Sequence, residues 1–180
     1  PEGAKYTREA LISYILGKEL SGGGWSLDDK NPSLDLDITS MVVYALAPHA
    51  AEDAKVREAV NRGLDVLRSK ISQDGDYYYG GTYNCESVAQ AIIAFTSMGI
   101  DPATVTNASS GKSLLDGLLK YYSTGTGGFL HAYYDDENQN RPNSMATDQA
   151  MEAIAAYRLY QQGINLFDFR ANANTTQYVA

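Results

Sequence analysis

The sequence predicts an all-α fold of three stacked helical hairpins, about six helices in all. A glycine–aromatic turn occurs three times, most clearly at Gly24-Trp25 and Gly128-Phe129 and more loosely at Gly75-Asp76-Tyr77. A charged, amphipathic helix precedes each turn, and a helix rich in small residues follows it. This repetition indicates supersecondary units that bury their apolar faces by stacking on one another.

The helices that follow the turns share one register. Met41, Gln90 and Gln149 occupy the same position of the pattern, at spacings of 49 and 59 residues. Periods of this size are typical of repeat architectures in which each unit is one helical hairpin. We therefore treat these three residues as equivalent.

The outer helix of each hairpin is predicted at about residues 5–20, 53–71 and 111–122. Each segment has apolar residues at helical spacing on one side and charged residues on the other. In the second segment, Val56, Val60, Leu64 and Leu67 form the apolar side. This pattern is typical of helices with one solvent-exposed face.

The inner helices are predicted at about 37–48, 86–99 and 145–162. They contain many Ala and Ser residues and few charges in their middles, which favours burial between neighbouring helices. Asp37 is expected to cap the first of them, because an N-terminal carboxylate accepts amide hydrogen bonds and meets the positive end of the helix dipole. Outer and inner layers of this kind make a solenoid that curves toward a ring.

Length and composition indicate one domain over residues 1–170, with 171–180 as a tail or linker. The 180 residues carry a net charge of −8 with no Lys/Arg cluster, which argues against nucleic acid and acidic membrane surfaces as partners. No apolar run approaches the roughly 20 residues that cross a bilayer, so membrane insertion is not expected. Cys85 is the single cysteine, which excludes an intrachain disulfide.

The segments Gly23-Gly24-Trp25 and Asp37–Leu46 together resemble the repeat of the terpenoid cyclase and protein prenyltransferase superfamily. The resemblance covers residues 5–163 and implies a partial α/α toroid, since complete rings in this family have about twice as many helices. Self-association or further repeats would then complete the ring. The resemblance also implies an exported or cell-surface bacterial protein, and it does not imply one activity, because this fold has several unrelated functions.

One segment is similar to a catalytic motif of that family. Class II terpene cyclases use Asp-x-Asp-Asp-Thr-Ala, in which the middle Asp protonates an isoprenoid. In Asp35-Leu-Asp37-Ile-Thr39-Ser40, Ile38 stands in place of the last Asp and Ser40 in place of Ala. The interpretation we favour is that Asp37 caps its helix, and protonation of an isoprenoid by Asp37 stays open.

Neither a metal nor a cofactor is predicted. The zinc site of the protein prenyltransferases needs an Asp two residues before the Cys, and here Tyr83 precedes Cys85 at that distance. Neither His131 nor His49 lies at the start of a predicted helix. The acidic segments 28–31 and 135–140 lack the spacing and the glycine of a defined calcium loop.

The tyrosines are concentrated in the loops that lead into the inner helices, and we call the surface that these loops would form the aromatic mouth. Tyr and Trp provide large, stiff contact surfaces that suit sugars, ring-shaped ligands and protein segments. Trp25, Tyr77 and Phe129 are expected to pack as structural turn residues. The candidate ligand-binding residues are Tyr78, Tyr79, Tyr83, Glu86, Tyr133, Tyr134 and Asp148.

The predicted function is non-enzymatic binding of a small molecule, a glycan or a protein through the aromatic mouth. One alternative is an enzyme of the same architecture that acts on a polysaccharide or an isoprenoid. Glycan hydrolysis would need two polar groups across a cleft, for which Glu86 and Asp148 are the candidate pair. The other alternative is a structural, self-assembling module.

Overall fold

The computed structural model describes residues 6–134 and 140–167. Within these ranges the chain has six α-helices, one 3₁₀ turn at Ala47–His49 and one hairpin of two short strands. The helices are α1 Arg8–Leu16, α2 Leu36–Leu46, α3 Ala54–Ser69, α4 Cys85–Ser97, α5 Leu114–Leu119 and α6 Ser144–Gln161. The strands are β1 Tyr77–Tyr79 and β2 Thr82–Asn84. All six helices lie within the predicted segments to within a residue, while the predicted tail at 171–180 is outside the described residues.

The small sheet corrects the all-α prediction. Strands β1 and β2 pair antiparallel, with Tyr78 opposite Tyr83 and Tyr79 opposite Thr82. The turn between them is Gly80-Gly81, and both glycines have positive φ, at 64° and 92°. Two such residues suit the tight hairpin turns whose twist matches that of the strands, and the flanking tyrosines favour extended backbone.

The three inner helices α2, α4 and α6 begin in the same way. Their N-caps are Asp35, Asn84 and Asn143, at the spacings of 49 and 59 residues that the sequence register predicts. The side chain of each cap accepts a hydrogen bond from a backbone amide of the first turn, as capping residues do. The prediction that Asp37 caps α2 is wrong, because Asp35 has the extended backbone of a cap and Asp37 lies inside the first turn.

Each N-cap is also tied to the aromatic residue of the turn before it. The amide of Asp35 donates to the carbonyl of Trp25 at 2.9 Å, and the amide of Asn143 donates to that of Phe129 at 2.8 Å. The middle unit achieves the same pairing inside the hairpin, where Tyr77 is opposite Asn84. The glycine–aromatic turn therefore sets where each inner helix starts.

A threonine on the inner helix fastens the turn in the first and third units. The amide of Trp25 donates to Thr39 Oγ1 at 3.0 Å, and the amide of Phe129 donates to Thr147 Oγ1 at 2.9 Å. The middle unit has Val88 at this position, and there the sheet supplies the partner for the turn. All three units therefore have the same turn and cap, and the turn is held by a threonine in the first and third units and by strand pairing in the second.

Helix α4 is the centre of the packing. It contacts α2 on one side and α6 on the other, and it is buried from Cys85 to Thr96. Helices α3 and α5 pack outside it, against α2 and α4 respectively. The hydrophobic core runs continuously through these layers. Burial between neighbouring helices, which was predicted for all three inner helices, is found for α4, whereas α6 leaves Met145, Met151 and Ile154 exposed.

A glycine contact and a buried carboxylate fix the middle turn against α5. A Cβ on Gly117 would lie 2.2 Å from the carbonyl oxygen of Gly75, so the backbones meet directly. Asp76 is fully buried, and its carboxylate accepts hydrogen bonds from Tyr121 Oη at 2.8 Å and from Lys120 Nζ at 2.9 Å. Pairing of this kind offsets the cost of burying a charge.

None of the described helices combines the length and the apolar character that a bilayer-spanning segment needs.

Candidate functional site

A cavity of about 480 Å³ opens at the N-terminal ends of the three inner helices. Each helix contributes its second and its sixth residue to the lining. The second residues are Asp37, Glu86 and Met145, and the sixth residues are Met41, Gln90 and Gln149. The remaining wall comes from the hairpin, from His131 and from the caps Asn84 and Asn143. We call this space the inner-helix cavity.

The sixth residues are a site that the sequence analysis missed. The sequence register makes Met41, Gln90 and Gln149 equivalent, but it does not predict that they bind a ligand. Their shared position on the helix was the available signal, because equivalent positions on adjacent, similarly oriented helices face the same space.

The two glutamines form a directed chain of hydrogen bonds. Tyr44 Oη donates to Gln90 Oε1 at 3.3 Å, and Gln90 Nε2 donates to Gln149 Oε1 at 3.0 Å. Gln90 is 4% exposed, so its amide is held in this orientation by its neighbours. The amide nitrogen of Gln149, the last group of this series of hydrogen bonds, has no partner among residues 6–134 and 140–167, and Gln149 lines the cavity.

Glu86 and His131 form a second polar pair in the wall. Glu86 Oε2 lies 2.8 Å from His131 Nδ1. The backbone carbonyl of His131 accepts a hydrogen bond from the amide of Cys85 at 2.9 Å, so the loop is anchored to the start of α4. Glu86 was a predicted ligand-binding residue, and it does line the cavity. His131 was not among the predicted ligand-binding residues.

Asp37 is the least satisfied polar group of the cavity. Its Oδ1 is buried and has no hydrogen-bond partner in the described part of the chain, and the same holds for Ser87 Oγ nearby. Burial raises the pKa of the Asp37 carboxyl above its usual range. The negative charges of Asp35 and Glu86 raise the pKa of Asp37 further. The nearby Ser87 hydroxyl lowers this pKa in part, although no hydrogen bond of ordinary geometry joins Ser87 to Asp37. Such a carboxyl in a cleft is typical of functional sites.

The tyrosines of the hairpin divide between two faces. Successive residues of a strand point to opposite sides, so Tyr79 and Thr82 face the cavity while Tyr78 and Tyr83 face away from it. The Tyr79 hydroxyl donates to the carboxylate of Asp35, which fixes its ring at the cavity wall. Of the hairpin tyrosines predicted to bind ligand, Tyr79 alone lines the cavity.

The other predicted tyrosines lie outside the cavity, and Tyr83 and Tyr133 contact Lys120. Tyr78 and Tyr83 are exposed, with ring centroids 5.1 Å apart, and Lys120 Nζ lies 5.8 Å from the centroid of Tyr83. The Tyr133 hydroxyl donates to the backbone carbonyl of Lys120, and the amide of Tyr134 donates to Asn140 Oδ1 at 2.8 Å. None of these four tyrosines lines the inner-helix cavity, so the structure does not bring them into one space with Tyr79 and Glu86.

Asp148 is also separate from the cavity. It is exposed and lines a shallow hollow with Gly128, Pro142, Thr147 and Met151. The structure does not bring the candidate pair of Glu86 and Asp148 into one cavity, although Asn143 lines both spaces. Asp37 is the carboxylate that faces the same space as Glu86.

The aromatic turn residues lie in the core. Trp25 is 2% exposed, Tyr77 0% and Phe129 3%, and none of them lines the cavity. The indole nitrogen of Trp25 donates to the carbonyl of Ile15 at 2.8 Å, which ties the turn to the end of α1.

No group of three or more His, Cys, Asp and Glu side chains suited to a metal ion occurs in the described ranges. Cys85 is buried, and burial raises the pKa of its thiol. In the segment 28–31, Asp28 Oδ1 accepts the Lys30 amide at 2.7 Å and Asp29 pairs with Lys18 at 3.0 Å. In the other acidic segment, residues 135–139 are outside the described ranges.

Comparison with known protein families, with curated proteins and with solved structures finds no match for this chain. Its function therefore has to be inferred from the inner-helix cavity itself.

Proposed function

We propose that this chain is a ligand-binding domain whose site is the inner-helix cavity. The observation that carries the proposal is convergence: three equivalent helix starts direct their second and sixth residues into one space. The volume of about 480 Å³ lies within the range of roughly 300–1,000 Å³ that is usual for small-molecule sites. The Asp37 carboxylate and the Gln149 amide are lining groups that a ligand can contact, and the amide nitrogen of Gln149 has no partner in the described residues.

The charges of the lining limit the class of ligand. Asp37 and Glu86 face the cavity, whereas no Lys or Arg of the described residues does so. An anionic ligand would meet like charge in a partly buried space, and the chain as a whole carries a net charge of −8. We therefore propose an uncharged or cationic ligand, which is a small molecule, a glycan or one side chain of a protein segment. Nucleic acid and isoprenoid phosphates are anionic and do not fit this lining.

We further propose that the fold is a partial α/α toroid of the terpenoid cyclase and protein prenyltransferase type. The support is the shared construction of three units, each with a glycine–aromatic turn, a cap and an inner helix. Further repeats or a second copy would complete the ring. An extracellular or cell-surface location belongs to the same proposal and is supported by the sequence resemblance alone.

Enzymatic hydrolysis of a bound glycan is a second candidate, favoured by one observation. Asp37, with its raised pKa, and Glu86 face the same cavity. Glycoside hydrolysis uses two carboxyl groups, one protonated and one ionised, about 5–9.5 Å apart. Release of reducing ends from a polysaccharide by the wild type, and its loss in Asp37→Asn, would favour turnover over binding.

A thermal-shift screen tests the binding proposal. The panel contains corrinoids, oligosaccharides, amines and isoprenoid phosphates, and the wild type is compared with Gln149→Leu and with the control Asp148→Asn. A ligand at 100 times its Kd stabilises the native state by about 2.7 kcal/mol, which corresponds to roughly 5–10 °C for a domain of this size. We expect a hit that Gln149→Leu weakens and Asp148→Asn retains. A hit that both variants retain would place the binding site elsewhere.

A further inference from the structure

The polar groups of the inner-helix cavity specify the chemistry of the ligand more closely. We infer that the cavity binds an uncharged, hydroxyl-rich molecule, namely a sugar residue or the end of an oligosaccharide. This inference rests on the proposed binding function and adds the class of ligand.

Donors and acceptors without protein partners occur together in the lining. The carboxylate of Asp37 lines the cavity and accepts hydrogen bonds when it is ionised. The amide nitrogen of Gln149 is a donor, because its carbonyl oxygen is engaged by Gln90. Asn143 uses Oδ1 to cap α6 through the amide of Ala146 at 3.0 Å, which leaves its amide nitrogen as a second donor. A hydroxyl group both donates and accepts, so a polyol satisfies all three groups at once.

The Glu86–His131 pair adds further polar positions. An ionised carboxylate only accepts hydrogen bonds, so the contact of 2.8 Å favours the tautomer with the proton on His131 Nδ1. The contact leaves His131 Nε2 and the second oxygen of Glu86 as the polar atoms of the pair that a ligand can meet. Both side chains are oriented by their mutual contact before any ligand arrives, which reduces the entropic cost of binding.

The less polar part of the wall suits the C–H face of a sugar ring. Tyr79, Met41 and Met145 supply an aromatic ring and two thioether side chains in the same cavity. The Tyr79 ring is fixed by its hydrogen bond to Asp35 and therefore presents a defined surface. A pyranose has both an edge of hydroxyls and a weakly polar face, which is the combination that this lining provides.

The other ligand classes leave more groups unsatisfied. An apolar isoprenoid would leave the polar groups of Asp37 and Gln149 without partners, which costs free energy for each of them. A cationic amine would satisfy Asp37 but would leave the amide donors of Gln149 and Asn143 without acceptors. An anion would meet Asp37 and Glu86. A hydroxyl-rich ligand is the class that pairs with both kinds of group.

Binding of the labelled full chain to an array of immobilised oligosaccharides tests the inference. We expect retention on a set of glycans that share one terminal sugar. In solution, the corresponding free oligosaccharide should bind Gln149→Leu about tenfold more weakly, because one buried hydroxyl loses its donor. Tyr78→Ala is the matched control: Tyr78 lies on the opposite face of the hairpin, so this variant should bind like the wild type.

A second variant keeps the test decisive if Gln149→Leu does not fold. Met145 is 62% exposed at the rim, so Met145→Trp should fold normally while its indole obstructs the cavity and abolishes retention. Glycan binding that survives Met145→Trp would overturn the inference. A silent array would overturn it too, and the thermal-shift screen then decides the broader proposal. A corrinoid or amine hit that depends on Gln149 would preserve the binding function, whereas no hit would refute both.

Discussion

Replacing Asp37 with asparagine should stabilise the protein. Asp37 Oδ1 is buried without a hydrogen-bond partner in the described residues, and its carboxylate is repelled by Asp35 and Glu86. Asparagine has nearly the same shape but no charge, and its amide can donate to Ser87 Oγ, which likewise has no partner there. The substitution therefore removes an unfavourable charge and supplies a partner for a neighbouring group.

The expected gain in the free energy of unfolding is about 1–2 kcal/mol at pH 7. An unsatisfied buried polar group costs about 1–3 kcal/mol. The amide of the introduced asparagine would itself lose some hydration, so we expect a gain in the lower part of this range of about 1–3 kcal/mol. For a chain of this size the gain corresponds to a rise in Tm of roughly 2–8 °C. A residue whose replacement stabilises the protein is often one that is retained for function at the expense of stability.

The gain should depend on pH with a defined sign. Burial holds the folded-state pKa of Asp37 above its unfolded value of about 3.9. Between these two values the native state binds more protons than the unfolded state, so the wild type becomes relatively more stable as the pH falls. Its penalty is complete above the folded pKa and disappears below about pH 3.9. Asparagine does not titrate, and the advantage of Asp37→Asn should therefore shrink from pH 7 toward pH 4.

Urea unfolding at pH 7 and pH 4 measures both effects. Trp25 is the single tryptophan and is 2% exposed, so its fluorescence reports unfolding of the core. Asp65→Asn is the control, since the Asp65 side chain is 74% exposed and its loss should change stability by less than about 0.5 kcal/mol. A loss of about 1 kcal/mol or more in Asp37→Asn at pH 7, or a difference that does not vary with pH, would refute the assignment of Asp37 as a strained cavity group.

Two further substitutions test how the turns are held. Gly117→Ala should lower the free energy of unfolding by more than about 3 kcal/mol, because its Cβ would meet the Gly75 carbonyl oxygen at 2.2 Å. Gly125 has open space around it, so Gly125→Ala is the control and should be close to neutral in the same urea titration. Thr39→Val should cost about 1–2 kcal/mol, because the buried amide of Trp25 loses its acceptor; a loss below about 0.5 kcal/mol in thermal melts would show that this bond does not hold the turn.

The helices could be predicted from the sequence because their signals are local. Periodic apolar residues place α3, and the repeated turn places the starts of α2, α4 and α6. The cap of α2 could not be settled in this way, since Asp35 and Asp37 are both suitable residue types two positions apart. The backbone bond between Asp35 and Trp25, formed only when the turn folds back, decides between them.

The site could be predicted only in part, because it depends on faces and not on positions along the chain. Tyr78 and Tyr79 are adjacent in sequence, yet the hairpin directs them to opposite sides. The sequence shows the Gly80-Gly81 pair, but it predicts a loop there, and a loop does not imply that neighbouring side chains alternate between two sides. His131 reaches Glu86 across 45 residues, a contact that no local pattern signals.

The most direct test of the inner-helix cavity uses the methyl signals of methionine. The chain has four methionines: Met41 and Met145 line the cavity, Met151 lines the hollow beside Asp148, and Met98 lines neither. With ¹³C-methyl methionine labelling, an oligosaccharide or other ligand identified by the screens is titrated into the protein. Shifts of the Met41 and Met145 signals, with Met98 and Met151 unchanged, are the result that we predict. Shifts confined to Met151 or Met98, or none upon saturation, would contradict the assignment of the cavity as the binding site.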